Sequence, residues 1–454
     1  MFALSFFVAS HLTRQVDPVQ KIIDLSLSDN RVMQTLKELC TSVGARPTGS
    51  PELQKAEKWA LAKFKSFGYA NAHLEKWADV PVGFQRGPNN SARIISPSEA
   101  DMQFSTNCWM PGTKGPVRGK VVMAPKTTEE FTAMKDSLKG AWILSDAPVS
   151  MRGANIPKDG VDLMKAIEGA GINGVVFGSK SDLLHTHGTW KDKTFENHPT
   201  NVQVTVRKAD WEMLSESVKA GKETVVEFNI DNRWIKGPIE VHNVVAELKG
   251  TEFPDQIVVL GGHLDSWNSP GSQGANDNGT GSSSTLEAAR LLMKSGVKPK
   301  RTIRFILFSG EEQGLLGSGE YVKQHAAEMP NISACIVDDG GSNYESGASG
   351  YASWAPYFAP EFEAMTKAFP KMPMAFHPNA NYSGMGGSDQ ESFWKQGIPS
   401  VFMGKAGTQN YGHIWHTQYD RYEEAIPEYL KQVATSMAVV SFSIANADTM
   451  MPRK

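Results

Sequence analysis

Cysteine is scarce in this sequence: the 454 residues contain three, Cys40, Cys108 and Cys335, and they lie far apart. That scarcity excludes a disulfide framework and a cysteine zinc cluster, and leaves room for one disulfide at most. Long apolar runs are missing too. None approaches the roughly 18–20 residues needed to cross a bilayer, so no membrane span is expected. An excess of either charge is also absent. With 46 Lys and Arg against 49 Asp and Glu the net charge is −3, and neither a nucleic-acid footprint nor a polybasic membrane patch can be drawn. The chain has no internal repeat and no low-complexity tract, and its 40% hydrophobic and 21% charged content is that of an ordinary globular protein. Several catalytic signatures are lacking as well: there is no His-Glu-x-x-His helix and no Gly-x-Ser-x-Gly elbow. "GTGSSS" has neither dinucleotide spacing nor the lysine of a phosphate loop.

What is present begins with "MFALSFFVAS", an apolar stretch followed by polar "HLTRQVDP". It reads as the hydrophobic part of a secretory leader without its basic start, over residues 1–18, and gives a secreted or periplasmic location as the expectation. Residues 19–70 have helical spacing. "SPELQKAEKWALAKFKSFG" opens on a Ser-Pro start signal and stops at Gly68. The stretch "GARPTGS" before it is a loop by composition. From about 110 to 235, short β-rich runs opening on glycine alternate with helical stretches, as in a compact α/β module with its own core. Its His185, His187 and His198 have no acidic partner at a ligand-like spacing and read as surface histidines. From 236 onward apolar runs alternate with amphipathic helices, which predicts an α/β fold of mostly parallel strands in a mixed sheet sandwiched by helices. The expected organisation is a first part of the main domain at 19–108, the smaller α/β insert at 109–235, and the main part at 236–454.

In this last part, chemistry-bearing residues gather where strands end. His263 and Asp265 follow "QIVVLGG", Glu311 and Glu312 follow "TIRFILFSG", Asp338 and Asp339 follow "SACIV", and His416 follows "IPSVFMG". Open α/β sheets bind ligands beyond the carboxyl ends of their strands, so these ends imply one shared pocket. Asp277, in the glycine-rich "GANDNGTG", is a fifth member. Imidazoles and carboxylates without thiolates suit zinc or a similar divalent ion. One zinc needs only three protein ligands, so this set fits two ions sharing a carboxylate, about 3.5–4 Å apart. Of the pair Glu311-Glu312, one can ligate while the other acts as general base. Asp265 is placed to accept the second N–H of His263 and fix its orientation.

The motifs "GGHLDSW", "GANDNGTG", "FSGEEQGLLGS", "VDDGG" and "HTQYD" resemble those of the co-catalytic di-zinc exopeptidases of peptidase clan MH, nearest to its glutamate carboxypeptidases and related zinc aminopeptidases. The resemblance is close over the catalytic half and looser over the N-terminal helices. It implies the zinc exopeptidase (phosphorylase/hydrolase-like) fold, and the middle block resembles the protease-associated domain that such enzymes carry as an insert. It also implies two Zn2+ ions bridged by Asp277. One would be completed by His263 and Asp339, the other by Glu312 and His416, with Glu311 as general base and Asp265 as the orienting residue. Asp339 is preferred to Asp338 because Gly340-Gly341 follow it, and His416 to His413 because Asp420 lies four residues on. "GMGGSDQESFW" resembles a loop lining the substrate pocket, which makes Ser388 and Asp389 candidate substrate contacts.

The implied reaction is hydrolysis of a dipeptide or short peptide by a water activated between the metals. The reading taken is an aminopeptidase or dipeptidase, with a glutamate-type carboxypeptidase as the alternative and a metal-free receptor on the same fold as a remote third. A carboxypeptidase needs a cation for the terminal carboxylate. Arg301 and Arg304 flank a strand and are expected to face solvent, while Lys405 and Arg421 lie nearer the pocket. No oxyanion donor can be named. For the insert, shielding the pocket and forming a homodimer are both open.

Overall fold

The runs 257–260, 301–308 and 332–337 are apolar at successive positions, so both faces of each strand must be covered. In the computed structural model, which describes residues 17–146 and 158–453, they form the middle of a six-stranded sheet. Residues 1–16 of the proposed leader lie outside the described residues, while Asp17 caps and Pro18 opens the first helix, Pro18–Ser28. The strand order is His73–Arg86, Asn232–Leu248, Arg301–Phe308, Phe253–His263, Ile332–Val337, Ser400–Phe402. The last four are parallel, and the first two form an antiparallel edge. The parallel strands therefore release their carboxyl ends along one side of the sheet.

Helices cover both faces. One face packs against Thr280–Ser295 and Pro427–Asn446 and against the helices Pro18–Ser28 and Pro51–Phe67. The other carries Tyr321, Val322 and Phe393 on Phe308 and Val259. The helix Pro51–Phe67 starts where Ser50 accepts the Leu53 amide and ends at Gly68, whose φ of 107° suits a residue without Cβ. Its Phe64 meets Tyr69 and Phe305, with Tyr69 and Phe305 ring centroids 5.4 Å apart. Phe305→Ala should lower the unfolding free energy by roughly 3–5 kcal/mol, measurable by denaturant titration; a loss below about 1 kcal/mol would show that this cluster does not join the helix to the sheet. No helix of the described residues is long and apolar enough to cross a membrane.

The second sheet has eight strands and its own core, including Trp142, Val176, Val204 and Phe228. It begins at Ser91, not at 109. Ala92, Ile94, Met102 and Phe104 bury their side chains in that core, so the strands at 91–105 belong to the insert although they look like a continuation of what precedes them. The chain leaves the main sheet at Arg86 and returns at Asn232, residues paired with each other across the antiparallel edge.

A further expectation needs correction. Arg301 and Arg304 do not face solvent: they are 2% and 7% exposed. Arg304 pairs with Glu247 at 2.7 Å and also meets Glu328 and the Tyr321 hydroxyl, and Arg301 donates to Gln256 at 2.7 Å. Charges can lie within a sheet when every one finds a partner, and spacing alone does not reveal those partners. The three cysteines are all free and buried, so the one disulfide the sequence allowed does not form.

Candidate metal centre

Gly262 and His263 end a strand, and the helix Thr280–Ser295 starts directly beneath them. The two approach closely because Gly281 has no side chain: a Cβ there would lie 2.1 Å from the Asp338 carbonyl oxygen. Between them the loop carrying Asp277 is tied down on both sides. The Asn276 amide donates to Asp420 at 2.5 Å, while the Asn278 side chain donates to the Asp338 carbonyl at 2.7 Å and accepts from Gly281 at 2.8 Å. The Asp277–Asn278 peptide is cis.

This leaves Asp277 facing two ways. Its Oδ1 lies 3.4 Å from His263 Nε2, and its Oδ2 3.2 Å from His416 Nε2. Asp339 Oδ1 approaches the same His263 nitrogen at 3.2 Å, and Glu312 Oε2 the same His416 nitrogen at 3.1 Å. Two ligand triads result, His263-Asp277-Asp339 and Asp277-Glu312-His416, each with its donor atoms within 4.8 Å of one another. Glu311 Oε2 stands 3.9 Å from His263 Nε2 and belongs to neither triad.

The electrostatics have two causes, burial and crowded carboxylates. Burial raises Glu311 well above the usual carboxylate range, and neighbouring Asp339 and Glu312 add to it. Burial and Asp277 push Glu312 up to about 7. Burial opposes charge on His416, yet Glu312 and Asp277 outweigh it and bring the imidazole up to about 10. Burial likewise works against His263, and Asp339 and Glu311 overcome it. Negative charge is crowded here beyond what two imidazoles neutralise. Glu312 Oε1 is buried with no hydrogen-bond partner. Oxygen and imidazole donors of this kind, with an orphaned carboxylate oxygen among them, fit divalent ions of the zinc type.

The other candidates fall into different places. His263 Nδ1 lies 2.9 Å from the Asp265 main-chain oxygen and 3.6 Å from its carboxylate, so the carbonyl is the nearer orienting acceptor. The carboxylate is occupied elsewhere, accepting from Thr48 Oγ1 at 2.7 Å and from the Glu311 amide at 3.3 Å. Asp338 turns away from the triads to an ion pair with Lys405. His413 stacks on Tyr419, and Asp420 bonds to Asn276 rather than to His416. Ser388 and Asp389 do not line the pocket: both are 0% exposed. Gly386 and Gly387 form the wall instead, and the next two side chains turn inward beneath Asp339. Arg421 is held by the Gly271 and Gln418 carbonyls.

A cavity of about 370 Å³ opens over both triads, lined further by Phe402, Tyr411 and Trp415. Tyr411 was not singled out from the sequence. Its phenol is raised well above its ordinary value by burial and by the Asp277 and Asp339 carboxylates, so it keeps its proton. The insert also reaches the site. Thr186 donates its amide to the His416 carbonyl at 2.8 Å, fixing a residue that holds a φ of 59°. Gln313, next to Glu312, bonds to Gly188 at 3.2 Å. His185 and His187 are therefore half-buried beside the centre, not surface residues, while His198 stacks on Trp234. No sequence signal could have shown this, because each contact has a backbone group on at least one side or joins residues far apart in sequence.

Residues 243–441 match the family model described as Peptidase family M28. Carboxypeptidase Q of Xenopus laevis is 26% identical over 98% of this chain and 93% of its own. Among solved structures, a peptidase M28 precursor from Shewanella amazonensis SB2B superposes with a TM-score of 0.68 at 24% identity, covering 96% of this chain and 97% of that one. An aminopeptidase from Aneurinibacillus sp. strain AM-1 does so with 0.56 at 21%, covering 96% and 98%. The fold is thus shared over nearly the whole length, insert included. Residues 243–441, where both triads lie, are thus similar to peptidase family M28.

Proposed function

We propose that this protein is a zinc-dependent exopeptidase that hydrolyses dipeptides or short peptides, working from the amino end as an aminopeptidase or dipeptidase. The observation that carries the reading is the single carboxylate, Asp277, presenting one oxygen to each of two ligand sets. His263 and Asp339 would hold one zinc ion with it, and Glu312 and His416 the other. When bound, such a pair supplies Lewis acidity and makes water a nucleophile near neutral pH. Glu311 lies beside the triads, takes the proton of the attacking water and hands it to the leaving amine. Its pocket favours that task, since a carboxylate raised by burial is a stronger base. Asp265 holds Glu311 through the backbone amide and His263 through its own carbonyl. Tyr411, protonated and lining the cavity, is the donor for the developing oxyanion. Phe402 and Trp415 give the substrate side chain an apolar surface. The apolar leader read at residues 1–18 supports a location outside the cytoplasm.

The amino-end reading rests on the cavity lining, in which, among the described residues, no Lys or Arg stands to receive a terminal carboxylate. The carboxyl-end alternative is favoured by the carboxypeptidase Q relative, and by Lys191, which bonds to the Gln313 carbonyl at 3.0 Å beside the pocket. Incubating the zinc-loaded protein with a free dipeptide, an N-blocked dipeptide and an aminoacyl anilide separates the two. Cleavage of the free dipeptide and the anilide is expected. Cleavage of the N-blocked dipeptide alone would reject the amino-end reading.

A further inference from the structure

The loop "GARPTGS" lies far from the ligands in sequence, yet its middle is as buried as they are: Arg46 is 0% and Thr48 1% exposed. The Arg46 guanidinium donates to the carbonyls of two different segments. Nε bonds to Leu264, next to His263, and Nη1 to Gly274 at 3.0 Å and Gln273 at 3.4 Å, at the start of the Asp277 loop. The Arg46 amide donates to Ser266 Oγ at 3.1 Å, and the Ser266 amide returns a bond to the Arg46 carbonyl at 3.2 Å. Gly274 makes the space for this, since a Cβ there would lie 2.1 Å from Ser266 Oγ and 2.8 Å from Arg46 Nη1.

Thr48 extends the same contact. Its hydroxyl donates to Asp265 Oδ2, whose other oxygen takes the Glu311 amide and whose carbonyl faces His263 Nδ1. A short N-terminal segment thus grips the strand end bearing His263, the loop bearing Asp277 and the turn bearing Glu311.

Two features set this apart from ordinary loop packing. Arg46 Nη2 is buried with no hydrogen-bond partner, a costly arrangement for a residue that only tied carbonyls together. Its charge faces the Asp265, Asp277 and Asp420 carboxylates from below. Asp265, Asp277, Glu311, Glu312 and Asp339 together carry one negative charge more than a pair of divalent ions would neutralise, and Arg46 stands where that excess is felt. We infer that Arg46 and Thr48 form a positioning clamp that sets the geometry of the two metal-binding loops and of Glu311. This rests on the proposed di-metal reading and deepens it. Neither residue lines the cavity.

The test uses the full-length protein and Thr48→Val, which keeps the shape of Thr48 and removes its hydroxyl, with Thr48→Ser as the conservative control. Arg46→Lys and Arg46→Gln probe the fork and the charge. Zinc affinity is measured by competition with a chelator, and the ligand field by the visible spectrum of the cobalt-loaded protein. Removing outer partners of this kind typically weakens metal binding or activity by about 10–100-fold. That loss is expected in Thr48→Val and in both Arg46 variants, with an altered cobalt spectrum, a fall in kcat larger than any change in KM, and recovery in Thr48→Ser. Should an Arg46 variant not fold, the Thr48 pair decides. Folded variants with wild-type zinc affinity and an unchanged cobalt spectrum would overturn the clamp and leave the di-metal reading intact. A wild-type protein that binds no divalent ion would overturn that reading, and the clamp with it.

Discussion

Glu311→Gln should leave both ions bound and lower kcat by roughly 10²–10⁴-fold, the range a positioned general base contributes. The substitution changes neither size nor shape and removes the group that accepts the proton. Glu311 lies outside both triads, so metal binding has no reason to change. The backbone amide that anchors it to Asp265 is also unaffected. The effect therefore falls on turnover with little change in KM, and metal analysis on the same sample separates loss of the base from loss of the ions. Turnover within about tenfold of wild type would fall short of that range and remove Glu311 from its role.

Asp277→Ala should empty both sites together and lower turnover by more than about 10³-fold, because the ions' contribution of several kcal/mol goes with them. The reason is geometric: each oxygen of Asp277 serves a different triad. His416→Ala provides the contrast. It removes one ligand from the Asp277-Glu312-His416 set and leaves His263, Asp277 and Asp339 in place, so one ion per chain should remain tightly held. Elemental analysis after gel filtration against a weak chelator reads both outcomes. Retention of one ion by Asp277→Ala would mean that the two sites do not share this carboxylate.

The sheet and the site were legible to different degrees, for physical reasons. Strands buried on both faces must be apolar throughout, so the runs 257–260, 301–308 and 332–337 declared themselves. The carboxyl ends of parallel strands converge, so His263, Asp339 and Glu312 could be grouped without coordinates. Asp265 was noticed for its carboxylate, but its carbonyl is the group nearer His263, and a sequence does not distinguish the two. The burial of Arg301 and Arg304 leaves no sequence signal, because it depends on Gln256, Glu247 and Glu328, partners brought close only by the fold. Tyr411 and the segment around Thr186 left no trace, since a short helical turn and a backbone amide have no residue signature. Ser388 and Asp389 sat in a recognisable stretch, yet the two glycines before them are what reaches the pocket.

The pairing of Arg86 with Asn232 has a consequence for how such a protein could arise and be re-engineered. The insert begins and ends on adjacent rungs of one ladder, so its two ends meet as the ends of a hairpin turn would. An ancestor with a plain turn there would need no other change to accept a new module, and a modern chain could in principle be trimmed back to one. What opposes trimming is the amide of Thr186 on the His416 carbonyl, which ties the inserted module to the loop that carries a candidate ligand.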